Sequence, residues 1–138
     1  MGKYDMVEQV AVGEAANQGE PGLRMVYEVM RNRARRRETD FKTEALRRDQ
    51  FTAAKRPDLT KFYESQPEEV RATANRLYQE VQAEDYVPRH LAPEGYRDPD
   101  HYMTKELYDS DKRPSWVDID KFIVVEQVGD HVLLAKPK

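Results

Sequence analysis

The sequence predicts an α+β fold, mainly α, in which a helical body is closed by a small C-terminal β-hairpin. Three observations lead there. Apolar residues recur at helical spacing in three stretches before residue 83, and two β-rich runs, Phe122-Ile123-Val124-Val125 and His131-Val132-Leu133-Leu134, flank a turn at Gly129-Asp130. The chain has 138 residues, no internal repeat and no low-complexity linker, which fits one domain spanning 1–138 with a core of moderate size.

In the first helix Met6, Val7, Val10 and Ala11 hold one face, and Glu14 extends it towards a stop near Asn17 and Gly19. Glu14 is thus expected to point to the core, among Val12, Gly13, Ala15 and Ala16. Burial and the negative end of the helix dipole both disfavour the carboxylate, so this group should keep a proton near neutrality, as a general acid must. The same position also suits a border carboxylate paired with a nearby arginine, and spacing alone favours that second role.

Pro21 opens a second helix that runs to about Arg36. Leu23, Val26, Tyr27, Met30 and Ala34 line one face while Met25 and Val29 lie on another, which predicts the central helix of the fold. Asn32 follows on the second face, where a polar amide needs a hydrogen-bond partner. Short helices are expected over Thr43 to Arg48 and Leu59 to Ser65. Ser65-Gln66-Pro67-Glu68 reads as a capping box with an early helical proline, followed by Val70, Ala74, Leu77, Tyr78 and Val81 at helical period to about Gln82. Pro88, Pro93, Gly95 and Pro99 mark a long irregular loop from Glu84 to Asp100, of the kind that lines a site or moves. Leu107-Tyr108 sits on a short helix, and Trp116, after Pro114, is expected to anchor the core.

Net charge is −3, but between Pro21 and Arg56 eleven Lys or Arg face five Asp or Glu. Arg31, Arg33, Arg35, Arg36 and Arg37 crowd the end of the second helix, where they either attract a polyanion or complement the C-terminal dipole as a solvated helix end. There is no cysteine, and His90, His101 and His131 are scattered, so neither a metal nor a cofactor is expected. No long apolar stretch follows Met1-Gly2-Lys3-Tyr4-Asp5; neither a secretory signal nor a membrane span is expected, and the product is made in the cytoplasm.

The series Gly13-Glu14-Ala15, Gly19-Glu20, Gly22, Asn32-Arg33, Gln50-Phe51, His101-Tyr102, Pro114-Ser115-Trp116 and Gly129-Asp130-His131-Val132 resembles the cell-wall hydrolase family of the spore-cortex lytic enzyme SleB, in order and over nearly the whole chain. Val12 stands where that family has an aromatic, and Asp130 where it has asparagine. The resemblance implies a lysozyme-like fold and lytic transglycosylase action on peptidoglycan glycan strands, with Glu14 as catalytic acid and base. It thereby reverses the ranking that spacing alone gave Glu14. A bare catalytic domain of this kind looks like a bacteriophage endolysin or virion lysin, made in the host cytoplasm and acting on the cell wall.

Glycosidases that use water need two carboxylates, about 5 Å apart for retention or roughly 6.5–9.5 Å for inversion. A transglycosylase works with Glu14 alone. Glu20 is the candidate second acid of a hydrolytic muramidase, although it precedes Pro21 and suits a helix N-terminus first. Gln50, His101, Tyr102 and His131 are candidates for substrate contacts; each also fits a structural role. Two non-enzymatic readings are a nucleic-acid-binding module built on Arg31 to Arg37, and a phage structural protein that keeps only the fold. Against the first, the chain is acidic overall and no aromatics interleave the arginines.

Overall fold

Asp5 starts the first helix, α1 (Met6–Ala15), by accepting the Val7 N–H at 2.7 Å, which satisfies one of the donors that a helix start leaves open. This computed structural model describes residues 4–47 and 50–138. A 3-10 turn (Ala16–Gln18) and Gly19, at φ 70°, redirect the chain into α2 (Gly19–Arg37). Then come α3 (Phe41–Ala45), a 3-10 helix (Thr52–Lys55), α4 (Leu59–Ser65) and α5 (Glu68–Gln82). The second part holds β1 (His101–Thr104), α6 (Lys105–Asp109), α7 (Ser115–Ile119), β2 (Ile123–Val128) and β3 (His131–Ala135). The architecture is α+β, mainly α, with a small antiparallel sheet. Among the described residues no helix is long and apolar enough to cross a membrane. Met1-Gly2-Lys3 and the expected helix end at Arg48 lie outside the described residues.

The 138 residues read above as one domain gather into two compact units, Met1–Tyr86 and Val87–Lys138. In the first, α2 packs against α1, α3 and α5. It is the central helix that its double-faced apolar pattern predicts: every residue from Gly22 to Ala34 is buried. Helix α1 is buried nearly as completely, through Val7, Glu8, Gln9, Val10, Ala11, Val12 and Ala15. The expectation that Glu14 turns towards the core is therefore corrected. With neighbours on most sides of α1, the apolar face does not define its interior, and Glu14 is only half-buried.

Two further corrections concern helix ends and strand number. Ser65 is the last residue of α4 and its Oγ donates to the Phe62 carbonyl at 2.6 Å. No capping box forms, and Pro67 is the N-cap of α5 rather than a residue of its first turn. The C-terminal hairpin is present, but its second strand is also the centre of a three-stranded sheet ordered β1-β3-β2. Its two-residue turn has Gly129 at φ 57° and no positive φ at Asp130, as a glycine-first hairpin turn requires. Met103, Val117, Phe122, Val132 and Leu134 form the core of this second unit, with Tyr108 and Trp116 packed on it as a core anchor.

The first unit also buries charge. Glu44 is fully buried and accepts from Arg37 Nη1 (2.6 Å), Thr39 Oγ1 (2.6 Å), Arg47 Nε (3.1 Å) and Arg47 Nη2 (2.9 Å). Burial alone would raise its pKa, but these bonds outweigh it and hold the carboxyl at about 2. A folded-state pKa below the unfolded value of 4.5 contributes stability that is complete above that value and is lost as pH falls towards 2. Glu44→Gln is expected to cost about 3 kcal/mol at neutral pH and to flatten the stability curve between pH 4.5 and 2. Urea unfolding at pH 7 and pH 3 measures both.

Candidate active site around Glu14

Gly13 and Glu14 lie in the last turn of α1, against the 3-10 helix Thr52–Lys55. A Cβ at position 13 would stand 2.6 Å from Ala53 Cβ and 3.0 Å from Leu59 Cδ1, so only glycine permits this approach. The close packing brings the Ala53 N–H to Glu14 Oε2, 2.9 Å away. That amide belongs to the first turn of the 3-10 helix and has no partner within it, so the carboxylate serves as its acceptor. Glu14 is thereby tied to the 3-10 helix and remains half-buried.

Two pieces of the sequence series, Asn32-Arg33 and Gln50-Phe51, touch within this unit through Arg33 and Phe51. Phe51, almost fully buried, precedes the 3-10 helix, and the Arg33 guanidinium of α2 lies 5.0 Å over its ring. Gln50 is half-buried in the turn before Phe51, its N–H bonded to the Arg47 carbonyl at 3.3 Å. Asn32 is buried beside Arg33 on α2. Glu20 has a different setting. Its carboxylate accepts from Arg24 at 3.3 Å and from Arg76 at 3.1 Å, and those two bonds, Arg76 first, hold its pKa down. It ties the start of α2 to α5 as an ionised group, in keeping with the helix-start role.

The remaining candidates belong to the second unit. His101 Nδ1 lies 2.7 Å from the buried Asp100 carboxylate, and its ring packs against Trp116 and Phe122 with centroids 5.0 and 4.9 Å apart. Tyr102 meets His131 edge-on at 5.4 Å across the β1–β3 pair. The arginine cluster is dispersed: Arg31 and Arg33 are buried, Arg37 is bound to Glu44, and Arg35 and Arg36 are exposed. Among the described residues no three His, Asp or Glu side chains are grouped to hold a metal ion.

Sequence reasoning passed over three other buried acids. Glu8 accepts from Asn75 Nδ2 at 2.7 Å and Tyr63 Oη at 3.1 Å, Glu28 accepts from Tyr86 Oη, and Glu44 is caged as described. All three are nearly inaccessible, whereas Glu14 is half-buried. Ala53 also went unnoticed, since an alanine amide carries no signal in sequence; the glycine at 13 was the available clue.

Alanine for glycine inside a helix normally stabilises by about 1 kcal/mol. Here the opposite sign is expected: Gly13→Ala should destabilise by about 1–3 kcal/mol through overpacking and should speed hydrogen exchange at the Ala53 amide. Thermal melting and amide exchange measured by NMR check both. Comparison with protein-family models, with curated proteins and with solved structures gives no match for this chain.

Proposed function

We propose that the chain cleaves the MurNAc-GlcNAc bond of peptidoglycan as a lytic transglycosylase of the SleB-like type, with Glu14 as its one catalytic acid and base. The observation that carries this reading is the Glu14 carboxyl group itself, half exposed at the end of α1 and fixed at Oε2 by the Ala53 N–H at 2.9 Å. The Ala53 N–H orients this carboxyl group, and the general acid of a glycosidase has to present its proton in a defined direction.

In the first step Glu14 protonates the glycosidic oxygen as the bond to the anomeric carbon breaks. The resulting carboxylate then takes the proton of the same sugar's 6-hydroxyl, whose oxygen closes onto the anomeric carbon. The product is a 1,6-anhydro-muramoyl end, and the carboxyl group is protonated again. No water is consumed and no second carboxylate is required. The engagement of Glu20 by Arg24 and Arg76 supports this route over a hydrolytic muramidase, because a general base committed to two guanidinium groups is poorly placed to activate water.

Purified chain is expected to clear bacterial peptidoglycan in a zymogram, and Glu14→Gln to lower that activity by about a hundredfold or more without loss of fold. Mass spectrometry of the muramoyl products should show ends lighter by one water than reducing ends. A folded Glu14→Gln protein with near-normal activity would sink the assignment, and reducing ends would redirect it to a hydrolase.

A further inference from the structure

Arg33 and Phe51 are 4% and 1% exposed, so the guanidinium 5.0 Å over the Phe51 ring makes its contact out of water, where the attraction of a cation for a ring face is strongest. The two partners sit on unequal supports. Arg33 belongs to the stretch of α2 from Gly22 to Ala34 that is buried without a break, whereas Phe51 is the extended N-cap of the 3-10 helix Thr52–Lys55. A 3-10 helix of four residues has too few bonds of its own to keep its place, so its position is set by what it packs on. At Ala53 it meets α1, where Gly13 leaves the space that a Cβ would fill. At Phe51 it meets Arg33.

The path from that ring to the carboxyl group is short. The Phe51 carbonyl accepts the Ala54 N–H at 3.1 Å and so closes the first turn, and the Ala53 N–H inside that turn reaches Glu14 Oε2 at 2.9 Å. A shift of the Phe51 ring therefore shifts the one donor known to orient Glu14. We propose that Arg33 is a positioning residue for Glu14: by fixing the Phe51 ring it fixes the turn that carries the Ala53 N–H, and with it the direction of the carboxyl group. Arg33 acts through Phe51 and not on the substrate. The proposal rests on the reading of Glu14 as the catalytic acid, and it names the residue of the central helix on which that acid's orientation depends.

The test compares three variants of the full chain. Arg33→Met keeps the apolar stem and removes the cation, Phe51→Leu keeps apolar bulk and removes the ring, and Arg33→Lys restores a cation. Hydrogen exchange at the Ala53 amide, followed by NMR, is expected to be about tenfold faster in Arg33→Met and in Phe51→Leu, and no faster again in the double variant, because both remove the same contact. The pH-dependent shift of the Ala53 amide resonance, which Glu14→Gln abolishes, should shrink in both variants and return in Arg33→Lys. On peptidoglycan, kcat is expected to fall by about tenfold or more with KM within about twofold of native, as for a misdirected acid with intact binding. Native exchange at Ala53 in a folded Phe51→Leu protein overturns the proposal even if Arg33→Met does not fold. Additive effects in the double variant, or a raised KM at native kcat, overturn it as well. If the native chain leaves peptidoglycan intact while the Ala53 amide behaves as expected, the activity reading falls and the hold of Arg33 on the Glu14 carboxyl group stands.

Discussion

A helix buried along its whole middle has to satisfy every polar group it carries, and α2 places that constraint on the first unit. Between Gly22 and Ala34 it buries Arg24, Glu28, Arg31, Asn32 and Arg33 among apolar residues. Arg24 is met by Glu80 at 2.8 Å and by Tyr86 Oη at 3.1 Å; burial alone would lower its pKa, and those partners raise it instead. Tyr86 passes its own proton to a bond with Glu28, and its pKa is pushed up to about 12, by burial first and by Glu28 second. Arg31 lies 5.5 Å from the centroid of the same ring. Removing one member of such a chain leaves a buried charge without compensation, a larger loss than the pair itself is worth. The end of α5 and Tyr86 just beyond it are thus specified by α2.

The same constraint sorts the acids. Glu8, Glu28 and Glu44 sit where the packing is closed and spend their oxygens on fixed donors. Glu14 lies half-buried between Val12 and Ala15 in the last turn of α1, where Gly13 lets a short 3-10 helix approach and lend its Ala53 amide. An acid that is positioned yet reachable differs from an acid that is merely buried, and the difference arises from one missing side chain at position 13. On the proposed reading, chemistry occurs at the border of the packed helices rather than inside them.

Much of the fold was legible in sequence because its elements follow strong local rules. The double-faced apolar pattern of α2, the period of α5 and the Gly129-Asp130 turn all gave their elements directly. Strand β1 was not legible: its four residues are too few to show alternation, and its partner Val132 to Leu134 is some thirty residues distant. The capping box failed because the motif spans two helices, so its serine completes α4 and never reaches the start of α5. For the site, the position of Glu14 was visible but its environment was not. The Ala53 backbone amide that meets it comes from a 3-10 helix some forty residues further along the chain. Likewise the arginine run read as one basic patch, although successive helical residues point in different directions and two of them go inwards.

The order β1-β3-β2 puts the most apolar strand in the middle, with Val132, Leu133, Leu134 and Ala135 all buried, and leaves two strands at the edges. Both edges are poor templates for a further strand. β1 has only four residues. β2 is interrupted between Val124 and Glu126, where its register against β3 shifts, and it carries Glu126 and Gln127 on exposed positions. A bulge bends and over-twists a strand, and charge on an edge opposes the approach of another. The irregularity in β2 therefore protects the second unit against strand-to-strand self-association, to which an apolar hairpin is otherwise prone.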